Sequence, residues 1–103
     1  MRLTVKDVLT ATAAESGLRD DGSKIGVREL LSKSHSRDVA WPRQTAMMAA
    51  RALTGASFPE IGRRMGGRDH STIIYGARAA AARCEADPYW ADMAKRVHAR
   101  LTA

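Results

Sequence analysis

A short helix, a turn and the beginning of a longer helix are indicated by the stretch SFPEIGRRMGGRDHST, Ser57 to Thr72. Ser57 and Glu60 have the spacing of a capping box, and proline is well tolerated in the first turn of a helix. We therefore expect one helix from Phe58 to about Met65. Gly66 and Gly67 interrupt the helical pattern, and a second helix is expected to begin near Asp69. Two helices joined by a glycine turn form the helix-turn-helix arrangement.

Helical patterns also account for most of the chain on both sides of this stretch. Apolar residues recur at helical spacing, and Thr4, Pro42 and the Asp87-Pro88 pair are typical of helix starts. No segment has a clear strand pattern, so we expect an all-α fold of about six helices. In chain order these are expected at residues 5–16, 27–31, 41–53, 58–65, 69–86 and from residue 88 onward. The buried face of the fifth helix is expected to contain Ile74, Ala77, Ala81 and Cys84.

Two connections between the expected helices are longer than a tight turn. Gly17 to Gly26 is rich in turn-forming residues and is predicted to be a loop. Ser32 to Asp38 is polar, basic and without periodicity, and is predicted to be a second loop. With 103 residues, the chain is expected to fold as one domain over residues 1–103.

The net positive charge of the chain is concentrated in its middle part. The chain carries a formal charge of +6, and the segment from Lys33 to Arg78 holds eight basic and three acidic residues. An excess of basic residues around a helix-turn-helix favours an anionic partner, above all nucleic acid.

Several other classes of site are disfavoured. Cys84 is the only cysteine, which excludes an intrachain disulfide and a cysteine metal cluster. His35, His70 and His98 lie in separate segments, without the paired spacing of metal ligands. No phosphate-binding G-x-x-x-x-G-K-[ST] loop, signal sequence or membrane-spanning apolar run is present. We expect no metal, no cofactor, no membrane contact and a cytoplasmic, nucleoid-associated location.

The helix that begins near Asp69 places hydrogen-bonding side chains at its start. In a DNA-binding helix-turn-helix this end of the second helix enters the major groove. Asp69 can accept from a cytosine amino group, His70 and Ser71 can donate or accept, and the Thr72 methyl can pack on a thymine methyl. The alternative for Asp69 is a purely structural N-cap, with Thr72 an ordinary first-turn residue. Sequence position alone leaves both interpretations open.

A hydrolytic site at the adjacent Asp69, His70 and Ser71 is disfavoured. A catalytic triad is defined by geometry, with the histidine between the other two groups. Consecutive residues of a helix point about 100° apart. The chain also lacks a G-x-S-x-G nucleophile elbow. We therefore expect no enzymatic activity.

Four blocks of sequence carry a resemblance to a known family. They are Leu30-Leu-Ser-Lys33, Trp41-Pro-Arg-Gln44, Ser57-Phe-Pro-Glu-Ile-Gly62 and Gly66-Gly-Arg-Asp-His-Ser-Thr72. In this order and spacing they resemble the C-terminal DNA-binding domain of the DnaA family of bacterial chromosomal replication initiators. The resemblance is strongest over residues 27–86, and residues 1–26 add an N-terminal helix and an extended loop. It implies an all-helical, Trp-repressor-like domain that binds a short asymmetric DNA element, the DnaA box, as a monomer.

The resemblance also implies roles for individual residues. Base reading in the major groove is implied for Asp69, His70, Ser71 and Thr72. Contacts to the DNA backbone are implied for Lys33, Arg37, Arg43, Gln44, Arg51 and Arg68. The loop from Lys33 to Arg37 is implied to reach the minor groove, with His35 and Arg37 as its inserted side chains.

The chain departs from the family pattern at three places. His35 stands where the family usually has arginine, Asp38 and Trp41 replace small or basic residues, and Gly17 to Gly26 is longer than the usual connection. Histidine is shorter than arginine and mostly neutral near pH 7. An altered or weaker preference for the box is therefore expected.

Two functions remain open at this stage. The first is sequence-specific binding to double-stranded DNA at a DnaA-box-like element, acting in replication initiation or its regulation. The alternative is a protein-interaction module or transcriptional regulator, with the full-length initiator as a partner and an exposed Trp41 as the anchor. Packing of Trp41 within the core is the competing expectation. Because Met1 opens a helical domain and no ATPase region is present, we expect a stand-alone DnaA-like protein rather than an excised domain.

Overall fold

Most of the helices begin where the sequence supplies a capping side chain. Within residues 2–103, which the computed structural model describes, the side chains of Thr4, Ser57, Asp69 and Asp87 each accept a hydrogen bond from a first-turn amide. These bonds satisfy amides that have no partner inside the helix. The helices are α1 (Val5–Ser16), α2 (Val27–Leu31), α3 (Arg37–Thr54), α4 (Phe58–Arg64), α5 (His70–Ala86) and α6 (Pro88–Thr102). The predicted all-α fold with a helix-turn-helix is confirmed.

The start of α3 differs from the prediction. The helix begins at Arg37 rather than at Trp41, so Pro42 lies inside the helix and not at its first position. The amides of Val39 and Ala40 both donate to the Ser36 carbonyl, at 3.1 and 2.8 Å, and form a turn before the proline. Val39 is fully buried, and burying its side chain favours this extra turn.

The core lies where α3 crosses the other helices. Leu30, Ala46, Ile61, Met65 and Ile73 are fully buried and belong to one apolar cluster. Members from α2, α3, α4 and α5 therefore share a single core, which fixes the helix-turn-helix against the long α3.

The buried face of α5 is rotated from the predicted one. Ile73, Gly76 and Ala80 are buried, whereas Ala81 is exposed and Ile74 is only half-buried. At Gly76 a β-carbon would lie 2.3 Å from the Met47 sulfur, so the absence of a side chain lets α5 approach α3. Alanines occupy both sides of this helix, which is why spacing alone indicated the wrong face.

The long connection Gly17–Gly26 is folded against the domain. Leu18 and Lys24 form an antiparallel bridge, and Ile25 is buried in the core. The carboxylate of Asp38 accepts from the backbone amide of Asp20 at 2.8 Å and lies 3.8 Å from Arg19 Nε. Asp38, one of the departures from the family pattern, thus attaches this loop to the first turn of α3.

Candidate nucleic-acid interface

The turn between α4 and α5 is held by a close backbone contact. The Arg68 amide donates to the Gly62 carbonyl at 2.8 Å, and a β-carbon on Gly62 would lie 2.1 Å from the Arg68 carbonyl oxygen. Gly66 and Gly67 adopt φ values of 80° and 76°, which favour glycine. These constraints set the direction in which α5 leaves the turn.

The start of α5 presents the predicted base-reading residues to solvent. Asp69, His70, Ser71 and Thr72 are all exposed. Asp69 caps the helix, with its Oδ2 accepting from the Ser71 amide at 3.0 Å, and its Oδ1 lies 3.6 Å from His70 Nδ1. Hydrogen bonds from Ser71 lower the pKa of Asp69, so the group is an ionised acceptor at neutral pH. Asp69 therefore has the capping role, and its second oxygen takes no part in the cap.

An open groove separates the start of α5 from the α2–α3 connection. It has a volume of about 520 Å³, and its lining includes Lys33, His35, Gln44, Thr72 and Tyr75. Lys33 and His35 are exposed. Lys33 and His35 of the predicted minor-groove loop and Thr72 of the predicted base-reading residues thus line one depression.

Arg43 is a largely buried residue in the lining of this groove. Its side chain is only 6% exposed, and its guanidinium donates to the carbonyls of Leu30, Ser34 and Ser32 at 2.6, 2.9 and 2.7 Å. Burial, and secondarily the charge of Arg68, lowers the pKa of Arg43 to about 10, so the group stays charged at neutral pH. These bonds use three of the five guanidinium N–H donors, and Arg43 also lines the groove. Arg43 therefore fixes the α2–α3 connection from inside, and its contact with the DNA backbone stays a prediction.

Arg68 is half-buried and has similar partners. It donates to the Met65 carbonyl at 2.6 Å and to the Ser32 carbonyl at 2.6 Å, with a longer bond of 3.4 Å to Leu31. Burial lowers the pKa of Arg68. These contacts make Arg68 a structural part of the turn, although it also lines the groove.

Arg37 and Arg51 are exposed at opposite ends of α3. Arg37 lies in its first turn, with its guanidinium 5.2 Å from the Trp41 ring centroid. Arg51 lies in its last turns, where it stacks 4.9 Å from the Phe58 ring and donates to the Ala56 carbonyl at 3.1 Å. Both cations are accessible to an anionic partner.

Two features of this surface were missed by the sequence reasoning. Tyr75 is 69% exposed in the groove, and its position three residues after Thr72 on a helix could have indicated it. Arg83 packs against the rings of Trp41 and Trp90 and donates to Gln44. No local signal marks that contact, because Gln44 is distant in sequence.

Other classes of site find no support in the part of the chain that the structure describes. Residues 2–103 contain no group of three or more histidine, cysteine or acidic side chains arranged to hold a metal ion. None of the helices in that part is long and apolar enough to cross a membrane.

Comparison with known proteins shows which family the sequence matches. The family model described as the bacterial dnaA protein helix-turn-helix matches residues 20–79. The chromosomal replication initiator protein DnaA of Caulobacter vibrioides (strain NA1000 / CB15N) is 44% identical over 77 residues, which are 75% of this chain and 14% of the relative. That of Laribacter hongkongensis is 39% identical over 90 residues, 82% of this chain and 19% of the relative.

The chain spans less than a fifth of the length of these relatives. The matched segment contains α2, α3, α4 and the first half of α5, and therefore the turn of the helix-turn-helix, the start of its second helix and the groove beside it. This chain belongs to the family of bacterial DnaA helix-turn-helix domains.

Proposed function

We propose that this protein binds double-stranded DNA sequence-specifically, at an element resembling the DnaA box. The observation that carries the proposal is the exposed start of α5, from Asp69 to Thr72, whose last residue lines a groove together with Lys33 and His35. A helix end with exposed donors and acceptors fits the major groove, where each base pair has a distinct hydrogen-bonding pattern.

Each group has a proposed part in this binding. Asp69 Oδ1 accepts from a cytosine amino group, His70 and Ser71 exchange hydrogen bonds with base edges, and the Thr72 methyl packs on a thymine methyl. Lys33, His35 and Arg37 approach the adjacent minor groove. Backbone phosphates are contacted by Gln44 and Arg51, which position the duplex without reading its sequence.

In a cell, such a protein would act as a monomer that occupies or competes for initiator sites. Replication initiation or its regulation is therefore the proposed process, with double-stranded DNA as the partner. The full-length initiator would share the same sites. We propose no catalytic step.

The alternative of a protein-interaction module loses its main support. Trp41 is half-buried and packs edge-on against Trp90, with ring centroids 5.8 Å apart, and against Arg83. Its ring is therefore occupied within the domain and is not a free anchor for another protein.

A salt-titrated binding assay tests the proposed function. It compares a duplex carrying a DnaA box with a scrambled duplex of equal length. We expect at least a hundredfold preference for the box, or about 2.7 kcal/mol, because each factor of ten corresponds to about 1.4 kcal/mol. Equal and steeply salt-dependent binding to both duplexes would contradict sequence reading and leave only a basic surface. Absence of binding to either duplex would contradict the proposal as a whole.

A further inference from the structure

Arg83 is a cation enclosed by aromatic rings. Its guanidinium carbon lies 4.1 Å from the centroid of the Trp41 ring and 5.7 Å from that of Trp90. It has no carboxylate partner within residues 2–103, and its Nη1 is buried without a hydrogen-bond acceptor. Cation–π attraction to two tryptophans takes the place of an ion pair. Arg83 is therefore held inside the domain and is not free to contact a phosphate.

Among residues 2–103, the guanidinium of Arg83 makes one hydrogen bond, to Gln44. Its Nη2 lies 2.9 Å from Gln44 Oε1. A guanidinium can only donate, so the acceptor oxygen of the amide must face Arg83 and the amide nitrogen must point away. Arg83 thus selects one of the two amide orientations of Gln44.

The amide nitrogen of Gln44 faces away from Arg83. It has no hydrogen-bond partner among residues 2–103, and it is not among the enclosed polar atoms that lack one. Gln44 lines the groove together with Thr72 and Tyr75. Two amide hydrogens are therefore available on the surface beside the start of α5.

We propose that Arg83 is a positioning residue for DNA binding: it orients the Gln44 amide so that its NH₂ group donates to the DNA backbone. This inference rests on the proposed function, because it needs DNA in the groove. A glutamine without such a partner can turn its oxygen outward, and an oxygen facing a phosphate oxygen is repelled. With Arg83 in place, the orientation is set before DNA arrives, and less freedom is lost on binding.

The two tryptophans contribute to the same positioning of Gln44. Trp41 and Trp90 cover the guanidinium, so its donor stays directed at Gln44 instead of turning to solvent. This gives a reason for tryptophan at position 41, where the family pattern has a small or basic residue. A basic side chain there would repel Arg83.

A double-mutant cycle tests the proposal. Arg83→Met keeps an apolar side chain under the tryptophans but removes the donor, and Gln44→Leu removes the amide. We expect Arg83→Met to weaken binding to the box about fivefold to tenfold in the wild-type background, and less than about twofold when Gln44 is already leucine, because coupled residues are not additive. Equal effects of Arg83→Met in both backgrounds, or no effect in either, would overturn the proposal.

Two further variants separate positioning from general damage to the fold. Arg83→Lys retains a cation and a donor, and we expect it to restore part of the affinity lost in Arg83→Met. Gln44→Glu retains the acceptor for Arg83 but presents a carboxylate oxygen to the groove, and we expect it to bind DNA more weakly than Gln44→Leu. Binding by Gln44→Glu at the wild-type level would overturn the proposal. Urea unfolding of each variant verifies that it is folded under the assay conditions.

A measurement without DNA distinguishes failure of this inference from failure of the proposed function. The side-chain amide of Gln44 gives its own ¹⁵N NMR signals. In the free protein we expect Arg83→Met to move these signals towards those of a solvated glutamine amide, whereas Arg83→Lys moves them less. Unchanged signals in Arg83→Met would overturn the orienting role. If the wild-type protein binds no DNA, the proposed function fails, and the NMR result still decides whether Arg83 orients Gln44.

Discussion

Arg43 of α3 and Arg68 of the helix-turn-helix donate to the same backbone oxygen, the carbonyl of Ser32, over 2.7 and 2.6 Å. Two cations from different elements thus converge on the beginning of the α2–α3 connection. Neither has a carboxylate partner within residues 2–103, so backbone carbonyls satisfy them. The arrangement fixes the connection that carries Lys33 and His35 relative to α5.

We expect Arg43→Met to destabilise the fold without removing a phosphate contact. Loss of three hydrogen bonds from a buried cation should lower the free energy of unfolding by about 2–3 kcal/mol. We expect the salt dependence of DNA binding to keep its wild-type slope, because we propose that the Arg43 guanidinium acts on the α2–α3 connection and not on a phosphate. Urea unfolding and salt-titrated binding measure the two quantities. Arg28→Met, at an exposed arginine, is the control and should leave stability unchanged. A shallower salt dependence together with unchanged stability would indicate instead that Arg43 contacts the DNA backbone.

The two buried glycines in helices should differ in their tolerance of alanine. At Gly62 the new β-carbon would lie 2.1 Å from a backbone oxygen, that of Arg68, whereas at Gly76 it would lie 2.3 Å from the flexible thioether of Met47. Backbone in the turn cannot move without displacing α5. We therefore expect Gly62→Ala to cost more than Gly76→Ala, each within or above the range of about 1–3 kcal/mol typical of overpacking. Urea unfolding of both variants checks the order, and the reverse order would contradict it.

The ion pairs between α1 and α6 predict a loss of stability in acid. Hydrogen bonds from Arg100 and then Arg96 lower the pKa of Glu15 below its ordinary value of 4.5. A carboxylate with a lowered folded-state pKa stabilises the fold above its unfolded pKa, and this contribution is lost as the pH falls through the folded-state value. In urea unfolding measured between about pH 3 and pH 7, the midpoint concentration should therefore decrease once the pH drops below about 4.5. The decrease should be less steep in Glu15→Gln. Glu85→Gln, at an exposed glutamate without an ion pair, should keep the wild-type profile. A wild-type profile in Glu15→Gln would contradict the assignment.

The attachment of the Gly17–Gly26 loop through Asp38 can be tested by hydrogen exchange. The Asp20 amide donates to the Asp38 carboxylate, and Ser36 Oγ donates to its other oxygen at 2.6 Å. We expect Asp38→Ala to raise the exchange rate of the Asp20 amide several-fold, because its acceptor is removed, and to speed tryptic cleavage after Arg19. Asp92→Asn on α6 changes the charge equally and should alter neither. Unchanged exchange in Asp38→Ala would show that the bridge between Leu18 and Lys24 holds the loop by itself.

Local signals in the sequence were sufficient to predict where the helices start, but not to predict the roles of the arginines. Ser57 and Asp69 cap their helices through contacts two or three residues away, and such contacts can be read from spacing. Arg43 and Arg83 instead meet partners that lie up to 39 residues away, and tertiary packing decides whether a guanidinium turns inward. Charge counting treats every cation alike, so its prediction of an anionic partner rested both on exposed residues such as Arg37 and on Arg43, whose guanidinium the fold uses internally.

His70 provides the most direct test of base reading. It is exposed at the first position of α5, and its Nδ1 lies 3.6 Å from Oδ1 of Asp69. We expect His70→Ala to cost about 1–3 kcal/mol on the preferred duplex and almost nothing on a scrambled duplex, because a base-edge contact contributes only where the matching base is present. The comparison of the two duplexes at one salt concentration measures this difference. His98→Ala removes an exposed histidine from α6 and should bind both duplexes as the wild type does. Equal losses of binding free energy on both duplexes for His70→Ala would indicate that His70 contacts the DNA backbone. Sequence reading would then rest on Asp69, Ser71 and Thr72.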